Sequence, residues 1–252
     1  YLGFRYALYP SQMAFVITGL YIYLHGRTCK WSRYALLLLF NYAFFFFTNS
    51  RLSFYLSVFL IVLSIIARTR LVGLVRFKPI AVIVVGCFVI CAIGSIAITL
   101  GYDPSSSWMR MLDSDSLLGG RMRLGNNAIE TYGITLFGQR IDLIGNGLTF
   151  TGEWVREGQY NYVDSLYVQL IVRYGLVFSV VFIFLLTLVT YFAWKSADYQ
   201  LLACMIAIAL HCVVDDLSLW LYFNPFLLLI GLCLSRISEG RKTLEASGPI
   251  AN

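Results

Sequence analysis

The chain has 252 residues and a formal net charge of +6, with 59% hydrophobic and only 13% charged residues. Its mean hydropathy of +0.76 lies far outside the range of soluble domains, so we expect a polytopic membrane protein. The positive charge stands mostly in short connections between apolar runs, where it sets orientation, and we expect no nucleic-acid partner.

Seven apolar runs approach the length of about 20 residues that crosses roughly 30 Å of hydrocarbon. They are 10–24, 31–47, 52–67, 79–100, 174–194, 199–214 and 219–235. We therefore predict an all-α fold with about seven transmembrane helices: four in 1–100, a folded loop in 101–173, three more in 174–235, and a tail in 236–252. The opening YLGFRYALYP lacks an initiator methionine, and we expect the chain to be the C-terminal part of a longer protein with further spans upstream.

Lysines and arginines orient the runs, because cytoplasmic connections collect positive charge. If seven spans alternate, four basic connections fall on one side, which we assign to the cytoplasm together with the C-terminus. Their cations are Arg27, Lys30, Arg33, Arg68, Arg70, Arg76, Lys78, Lys195, Arg236, Arg241 and Lys242. The segment 101–164 then lies on the outer side of the cytoplasmic membrane.

This outer segment contains five arginines and eight acidic residues, so its arginines are not needed for topology. It also has the aromatic residues, glycines and apolar residues of a folded segment, and we predict a small cap with short helices, one near Arg121–Tyr132.

A continuous helix over 166–194 would be about 43 Å long, which is too long for the bilayer without strong tilt. We therefore predict a break at 173–175, a short helix lying at the outer surface before it, and Arg173 at the membrane interface.

Polar groups gather at the outer ends of the runs and can frame one pocket that opens outward. They are Arg5, Gln12, Arg51, Asp215, Asp216 and Asn224. His211 lies one helical turn before Asp215, either as a hydrogen-bonded structural residue or as part of the pocket. The runs are otherwise almost free of ionisable groups, which argues against a proton- or sodium-coupled transporter.

The outer arginines indicate a phosphate ligand, because a planar guanidinium matches phosphate oxygens and keeps its charge. At that depth the anion would be a lipid head group or a lipid-linked diphosphate. The alternatives are a snorkelling interface residue for Arg51 and an ion pair with an acid such as Glu130 for Arg121. Asp113 and Asp115 have a metal-binding spacing but are interpreted as exposed turn residues, and the six cysteines as small core residues.

In chain order, several segments resemble the bacterial Wzy-type polysaccharide polymerases, which are relatives of the O-antigen ligases. The segments are RYALYPSQMAF, TNSRLSF, GGRMRLGNNAIETYGITLFGQ, YVDSLYVQLIVRYGL and NPFLLLIG. The resemblance covers nearly the whole chain, and its specificity comes from the order of the motifs. Two positions depart from the family: Asp164 stands where the ligase branch often has a histidine, and Gln12 follows Ser11 where the family has an asparagine.

The resemblance implies glycosyl transfer on the outer face, in which a growing glycan moves from a polyprenyl diphosphate to a hydroxyl of the next lipid-linked repeat. Arg51 and Arg121 are expected to stabilise the diphosphate leaving group, and Asp164 to act as a base or a positioning group. Expected substrate-binding residues are Arg5, Gln12, Arg140, Arg173, His211, Asp215 and Asn224. No metal or other cofactor is expected; the expected partners are polyprenyl-diphosphate-linked oligosaccharides, membrane lipids and other polysaccharide-assembly proteins.

Two alternatives remain: a ligase-like transferase with another acceptor, and a non-enzymatic transporter of lipid-linked glycans or membrane scaffold. A transporter should show cationic residues along a path through the spans, whereas here the cations stop at the outer interface.

Overall fold

The computed structural model describes residues 8–114, 120–145, 161–235 and 237, and within these ranges the chain is all-α, without a β-strand. Five α-helices precede the cap: α1 (Tyr9–His25), α2 (Trp31–Thr48), α3 (Arg51–Ile66), α4 (Lys78–Val85) and α5 (Cys87–Leu100). The cap contributes α6 (Ser107–Leu112), α7 (Arg121–Tyr132) and α8 (Leu166–Gln169), and the last part forms α9 (Leu176–Lys195), α10 (Tyr199–Val214) and α11 (Pro225–Ser235). Arg5, a predicted binding residue, lies outside the described residues.

Helix α10 lies at the centre of the bundle, where it packs against α1, α3, α5 and α9. Twelve of its 16 residues are buried, among them Ala203, Ala207 and Ala209, whose small side chains allow neighbouring helices to approach closely. Because α10 is central, its C-terminal end and the two aspartates that follow it lie at the middle of one end of the bundle.

Helix length does not support the prediction of seven spans. Within the described ranges, α9 is the one helix that is long and apolar enough to cross a bilayer alone; α4 and α5 reach that threshold only together, bent by 65°. Helices α3, α10 and α11 are apolar but shorter, and α1 has 17 residues. Only the run 174–194 therefore forms, within the described ranges, a helix that meets the length and hydropathy of a span without a partner.

Two of the runs are interrupted for local reasons. The run 79–100 bends at Gly86, where a Cβ would lie 2.9 Å from the carbonyl oxygen of Val82. The run 219–235 does not become helical until Pro225, because a proline has no N–H for a helical hydrogen bond and is best tolerated in a first turn.

The cap contains the predicted helix: α7 spans Arg121–Tyr132, as expected from the sequence. It packs against α5, and a Cβ on Gly125 would lie 2.9 Å from Cγ2 of Thr99. A second apolar cluster lies beneath it, formed by Ala128, Ile141, Leu143, Val163, Val168, Ile171 and Val172. The cap thus has a small hydrophobic core of its own.

The predicted break before α9 is confirmed at Gly175, which has φ +86°. The short helix α8 continues as a π-helical turn over Leu170–Tyr174, but both are buried against the bundle and do not lie on a surface as predicted. The first N–H groups of α9 are bound by the cap: Leu176 N donates to the Thr135 oxygen (2.9 Å) and Val177 N to the Leu136 oxygen (3.1 Å).

The basic connections after α1, after α3 and before α10 meet at one end of the bundle. Arg27 pairs with Asp198 (3.4 Å), and Arg76 donates to the Tyr199 hydroxyl (3.1 Å). The cap and the turn after α10 meet at the other end. We call the end with the basic connections the basic end, and the end with the cap the acidic end.

Candidate functional site at the acidic end

Helix α10 ends at Val214 and is followed by Asp215 and Asp216. The Asp215 carboxylate turns back on its own loop, where Oδ1 accepts from the Leu217 amide at 2.9 Å. This bond stabilises a tight turn and leaves the other carboxylate oxygen directed at neighbouring elements.

Arg121 is the first residue of α7, and the local sequence fixes its place. Asp113, which precedes the helix in the chain, accepts from the Met122 and Arg123 amides at 2.9 and 3.2 Å, so its carboxylate satisfies two free N–H groups of the first turn. Asp113 is only 8% exposed, which corrects the expectation that it is an exposed turn residue.

The side chain of Arg121 reaches the end of α10. Its Nε donates to the Val214 carbonyl at 3.1 Å and lies 3.2 Å from Oδ2 of Asp164. About a quarter of each side chain remains accessible, 27% for Arg121 and 26% for Asp164. The arginine thus pairs with Asp164, and not with Glu130, the partner considered from the sequence.

Asp216 is held by two neutral donors. Its Oδ2 accepts from the Tyr162 hydroxyl at 2.6 Å and from the Gln169 amide at 2.9 Å. The amide of Gln169 also donates to the Val163 carbonyl at 2.7 Å, which fixes its orientation. Asp216 is therefore positioned by the cap, while Asp215 belongs to the α10 side.

Burial raises the pKa of each of the three carboxyl groups above the usual range for aspartate. The pKa of Asp164 is raised by burial and lowered in part by the Arg121 charge. Burial, followed by the neighbouring Asp216, raises the pKa of Asp215 well above its ordinary value. Burial raises the pKa of Asp216 to about 6, although the Tyr162 hydroxyl bond opposes the shift. We call Arg121, Tyr162, Asp164, Gln169, Asp215 and Asp216 the aspartate cluster.

Helix α1 closes the cluster from the other side. Gln12, in its first turn, donates from Nε2 to Oδ2 of Asp215, and its buried Oε1 has no hydrogen-bond partner among the residues that the structure describes. His211 stacks on Phe15 with ring centroids 5.0 Å apart.

Asn224 and Ser218 extend this polar wall. The Asn224 amide donates to the Ser218 carbonyl at 3.0 Å, while its buried Oδ1 has no hydrogen-bond partner within the described part of the chain. Both amide oxygens are buried, so this polar wall lies beneath the surface of the protein.

The structure brings together Gln12, Arg121, Asp164 and Asp215, with His211 and Asn224 behind them. Arg51 begins α3 as an exposed residue, and its guanidinium makes no ion pair within the described ranges. The turn before it contacts α1 through the Ser11 and Thr48 hydroxyls, next to Gln12.

The other two predicted arginines lie apart from these contacts. Arg140 is 94% exposed and faces Asp142 at 4.0 Å. Arg173 lies over the ring of Tyr174, 5.5 Å from its centroid.

Sequence reasoning missed Tyr162, Gln169 and the capping role of Asp113, and it placed Asp216 at the outer pocket without giving it a role. The Asp-Asp pair after an apolar run was a visible signal for Asp216, but nothing in the local pattern indicates which partners reach it. Among residues 8–114, 120–145 and 161–235, no group of three His, Cys, Asp or Glu side chains is arranged to hold a metal ion.

The chain matches no protein-family model, no curated protein and no solved structure.

Proposed function

We propose that the chain is a membrane glycosyltransferase of the Wzy type, which polymerises polyprenyl-diphosphate-linked oligosaccharides at the aspartate cluster. The observation that supports this most directly is the contact between Arg121 and Asp164. The resemblance assigns these two residues to the two halves of a single transfer step, and they come from separate parts of the cap.

In this reaction an acceptor hydroxyl oxygen attacks the anomeric carbon of the donor glycan. The bond from that carbon to the diphosphate oxygen breaks, its electron pair leaves with the diphosphate, and the hydroxyl proton goes to a carboxylate. A guanidinium beside the leaving group stabilises the charge that develops there. Arg121 supplies that group, with its Nε held by Val214 and Asp164 and its plane thereby oriented.

The proton acceptor is assigned to Asp216, and Asp164 is assigned to positioning Arg121. Asp164 faces a cation, which lowers its affinity for a proton, whereas the side-chain donors to Asp216 are both neutral. A base is most effective when its pKa lies near the working pH, and the pKa of Asp216 is raised to about 6.

The proposed membrane arrangement has seven crossing segments: α1, α2, α3, the bent pair α4–α5, α9, α10 and α11. Apolar side chains on the outside of the bundle support contact with lipid, among them Phe46, Phe47, Val82 and Phe184, which are 61–76% exposed. A 16-residue helix is about 24 Å long, a mismatch that local thinning of the bilayer and flanking basic residues can accommodate. The acidic end faces outward and the basic end faces the cytoplasm.

The test is the length of glycan made by cells whose polymer depends on this chain. Arg121→Ala should abolish long chains and leave single repeats, with an unchanged amount of the protein in the membrane. Arg121→Lys should also fail, because a lysine lacks the planar donor fork.

The matched control is Arg123→Ala, since Arg123 is an exposed arginine two residues along the same helix. It should keep the full chain-length distribution. Unchanged long chains in Arg121→Ala would refute the assignment, and loss of every surface glycan, single repeats included, would favour a ligase or a transporter.

A further inference from the structure

A cavity of about 400 Å³ opens at the basic end, remote in the fold from the aspartate cluster. It is lined by Arg27, Ala67, Arg68, Ala197, Tyr199 and Gln200. Three separate connections contribute to it, so the cavity exists only in the folded bundle.

The cations around the cavity are held in place. Arg68 donates from Nη1 to the Cys29 carbonyl at 2.5 Å, and Arg27 pairs with Asp198 at 3.4 Å. Arg76 donates to the hydroxyl of Tyr199, a lining residue. Because these contacts already restrict the side chains, an anion entering the cavity would have to order little more of them.

The buried side of the cavity is polar and neutral. Gln200 is 2% exposed, its Oε1 accepts from the Ser64 hydroxyl at 2.6 Å, and its Nε2 donates to the Ser64 carbonyl at 3.1 Å. The Tyr34 hydroxyl joins the same network and lies 2.9 Å from the hydroxyl oxygen of Ser64. These groups satisfy one another, so the charge of the cavity is set by its arginines.

The three connections carry a strong excess of positive charge. Segments 25–33, 66–78 and 195–200 contain eight lysines and arginines and one acidic residue, Asp198. The excess exceeds what Asp198 can neutralise, and an anionic ligand would relieve the mutual repulsion of the cations.

We propose that this basic cavity binds a phosphate-bearing anion through Arg27 and Arg68. Guanidinium groups match phosphate oxygens with paired hydrogen bonds, and basic pockets between membrane helices receive anionic lipid head groups. The chemistry is the same for a phospholipid head group and for a soluble phosphate. This site is independent of the proposed glycosyl transfer, since it lies at the opposite end of the bundle.

The experiment uses the full chain purified in a neutral detergent, with binding of three probes measured by titration. Phosphatidylglycerol tests a lipid source, inorganic phosphate a soluble source, and phosphatidylcholine a head group without net charge. Wild type should bind phosphatidylglycerol more tightly than phosphatidylcholine, and high salt should weaken that binding. The double variant Arg27→Gln with Arg68→Gln should lose at least about 10-fold in affinity.

Lys78→Gln is the matched control, because Lys78 carries the same charge at the basic end but does not line the cavity. Arg27→Gln alone keeps the test valid if loss of the Arg68 contact disturbs folding, since the Arg27 side chain is 69% exposed.

Binding of phosphatidylglycerol alone assigns the cavity to a lipid head group, and binding of inorganic phosphate as well assigns it to phosphate in general. Equal binding of phosphatidylcholine, or the same loss of affinity in Lys78→Gln as in Arg27→Gln, would overturn the proposal.

Discussion

At the scale of single residues, Asp216 shows how a carboxylate can be held without a cation. The Tyr162 hydroxyl and the Gln169 amide orient it, and burial makes its ionised form unfavourable. The folded chain therefore binds this proton more tightly than the unfolded chain does.

The consequence is a stability that falls as the pH rises. Below about pH 4 the carboxyl group is protonated in both the folded and the unfolded chain, so its raised pKa does not change the free energy of unfolding. The loss of stability grows as the pH rises and reaches its full size above about pH 6. Asp216→Asn removes this titration and keeps an oxygen for the two donors. Relative to wild type, the variant should therefore be more stable at pH 7.5 than at pH 4.5, by about 2 kcal/mol in the free energy of unfolding. The difference between the two melting temperatures should shift in the same direction.

Thermal unfolding in detergent at the two pH values measures this difference. Asp142→Asn is the control, because the Asp142 side chain is 87% exposed. If Asp216→Asn and wild type differ in stability by the same amount at both pH values, the raised pKa assigned to Asp216 is contradicted.

Asp113 positions Arg121 through the backbone of α7. Asp113→Ala removes the acceptor of two amide donors, and a lost helix cap of this kind costs about 1 to 2 kcal/mol. We expect a matching loss in the free energy of unfolding, together with shorter glycan because the first turn of α7 carries Arg121. Asp103→Ala, in an exposed turn with Ser105, should cost less than about 0.5 kcal/mol; an equal cost for both changes would refute the capping role.

At this scale the sequence predicted which side chains are unusual, and less well which of them meet. Gln12 and Asp215 stand out as polar groups at the ends of apolar runs, and Arg121 and Asp164 as charged residues of the outer segment; the structure joins them in pairs. Tyr162 is an ordinary loop residue and Gln169 an ordinary residue of an apolar helix. Their role depends on long-range contact with Asp216, which a local sequence pattern does not predict. The binding roles of Arg5, Arg51, Arg140 and Arg173 stay predictions.

At the scale of elements, the break before α9 rests on two glycines that touch. A Cβ on Gly175 would lie 2.2 Å from the Gly138 nitrogen, and a Cβ on Gly138 would lie 2.7 Å from the Arg173 and Tyr174 carbonyl oxygens. Both residues have positive φ, so neither space nor backbone conformation permits a side chain.

Gly175→Ala should therefore destabilise the fold severely, by about 3 kcal/mol or more, because a left-handed backbone and a close contact add together. The free energy of unfolding measures the loss, and the yield of folded protein follows it. Gly94→Ala in α5 is the control: its Cβ would meet nothing within 4 Å, and the change should be neutral or stabilising by up to about 1 kcal/mol. A similar change in the free energy of unfolding for Gly175→Ala and Gly94→Ala would show that the close contact between Gly175 and Gly138 does not contribute to stability.

The composition of the loop predicted a helix near Arg121–Tyr132, and the excessive length of a continuous helix over 166–194 predicted the break at 173–175, because both follow from local sequence. The bend at Gly86 and the late start of α11 were missed, since a long apolar run conceals where its helix is interrupted. The burial of α8 was also missed: an apolar segment beside a membrane end can lie on lipid or on protein, and only packing decides which.

At the scale of the whole molecule, the two ends of the bundle differ in charge. The three aspartates of the cluster lie at one end, and the arginines of the basic cavity at the other. The sequence predicted this separation from the lysine and arginine counts, because each connection between helices alternates ends. The number of spans was less predictable, since hydropathy registers apolar residues and not the helix length they form.

The proposed orientation can be tested with single cysteines and a membrane-impermeant maleimide on intact cells. Arg110→Cys, at an exposed position of the cap, should be labelled directly, and Ser196→Cys, at the basic end, only after permeabilisation. Of the six native cysteines, five are buried and Cys91 is half-buried, so their labelling should be weak. The reverse pattern would invert the topology and place the aspartate cluster in the cytoplasm.

The cap and α9 share backbone hydrogen bonds, which constrains how the site can open. Helix α9 has no side-chain cap, and the carbonyl oxygens of Thr135 and Leu136 satisfy its first two N–H groups. In the proposed membrane arrangement, lifting the cap would leave these donors bare beside the bilayer, where no water replaces the lost bonds. We therefore expect the cap and α9 to move together during the proposed glycosyl transfer, and a glycan to enter by displacement of the opposite wall, where Gln12 joins α1 to Asp215.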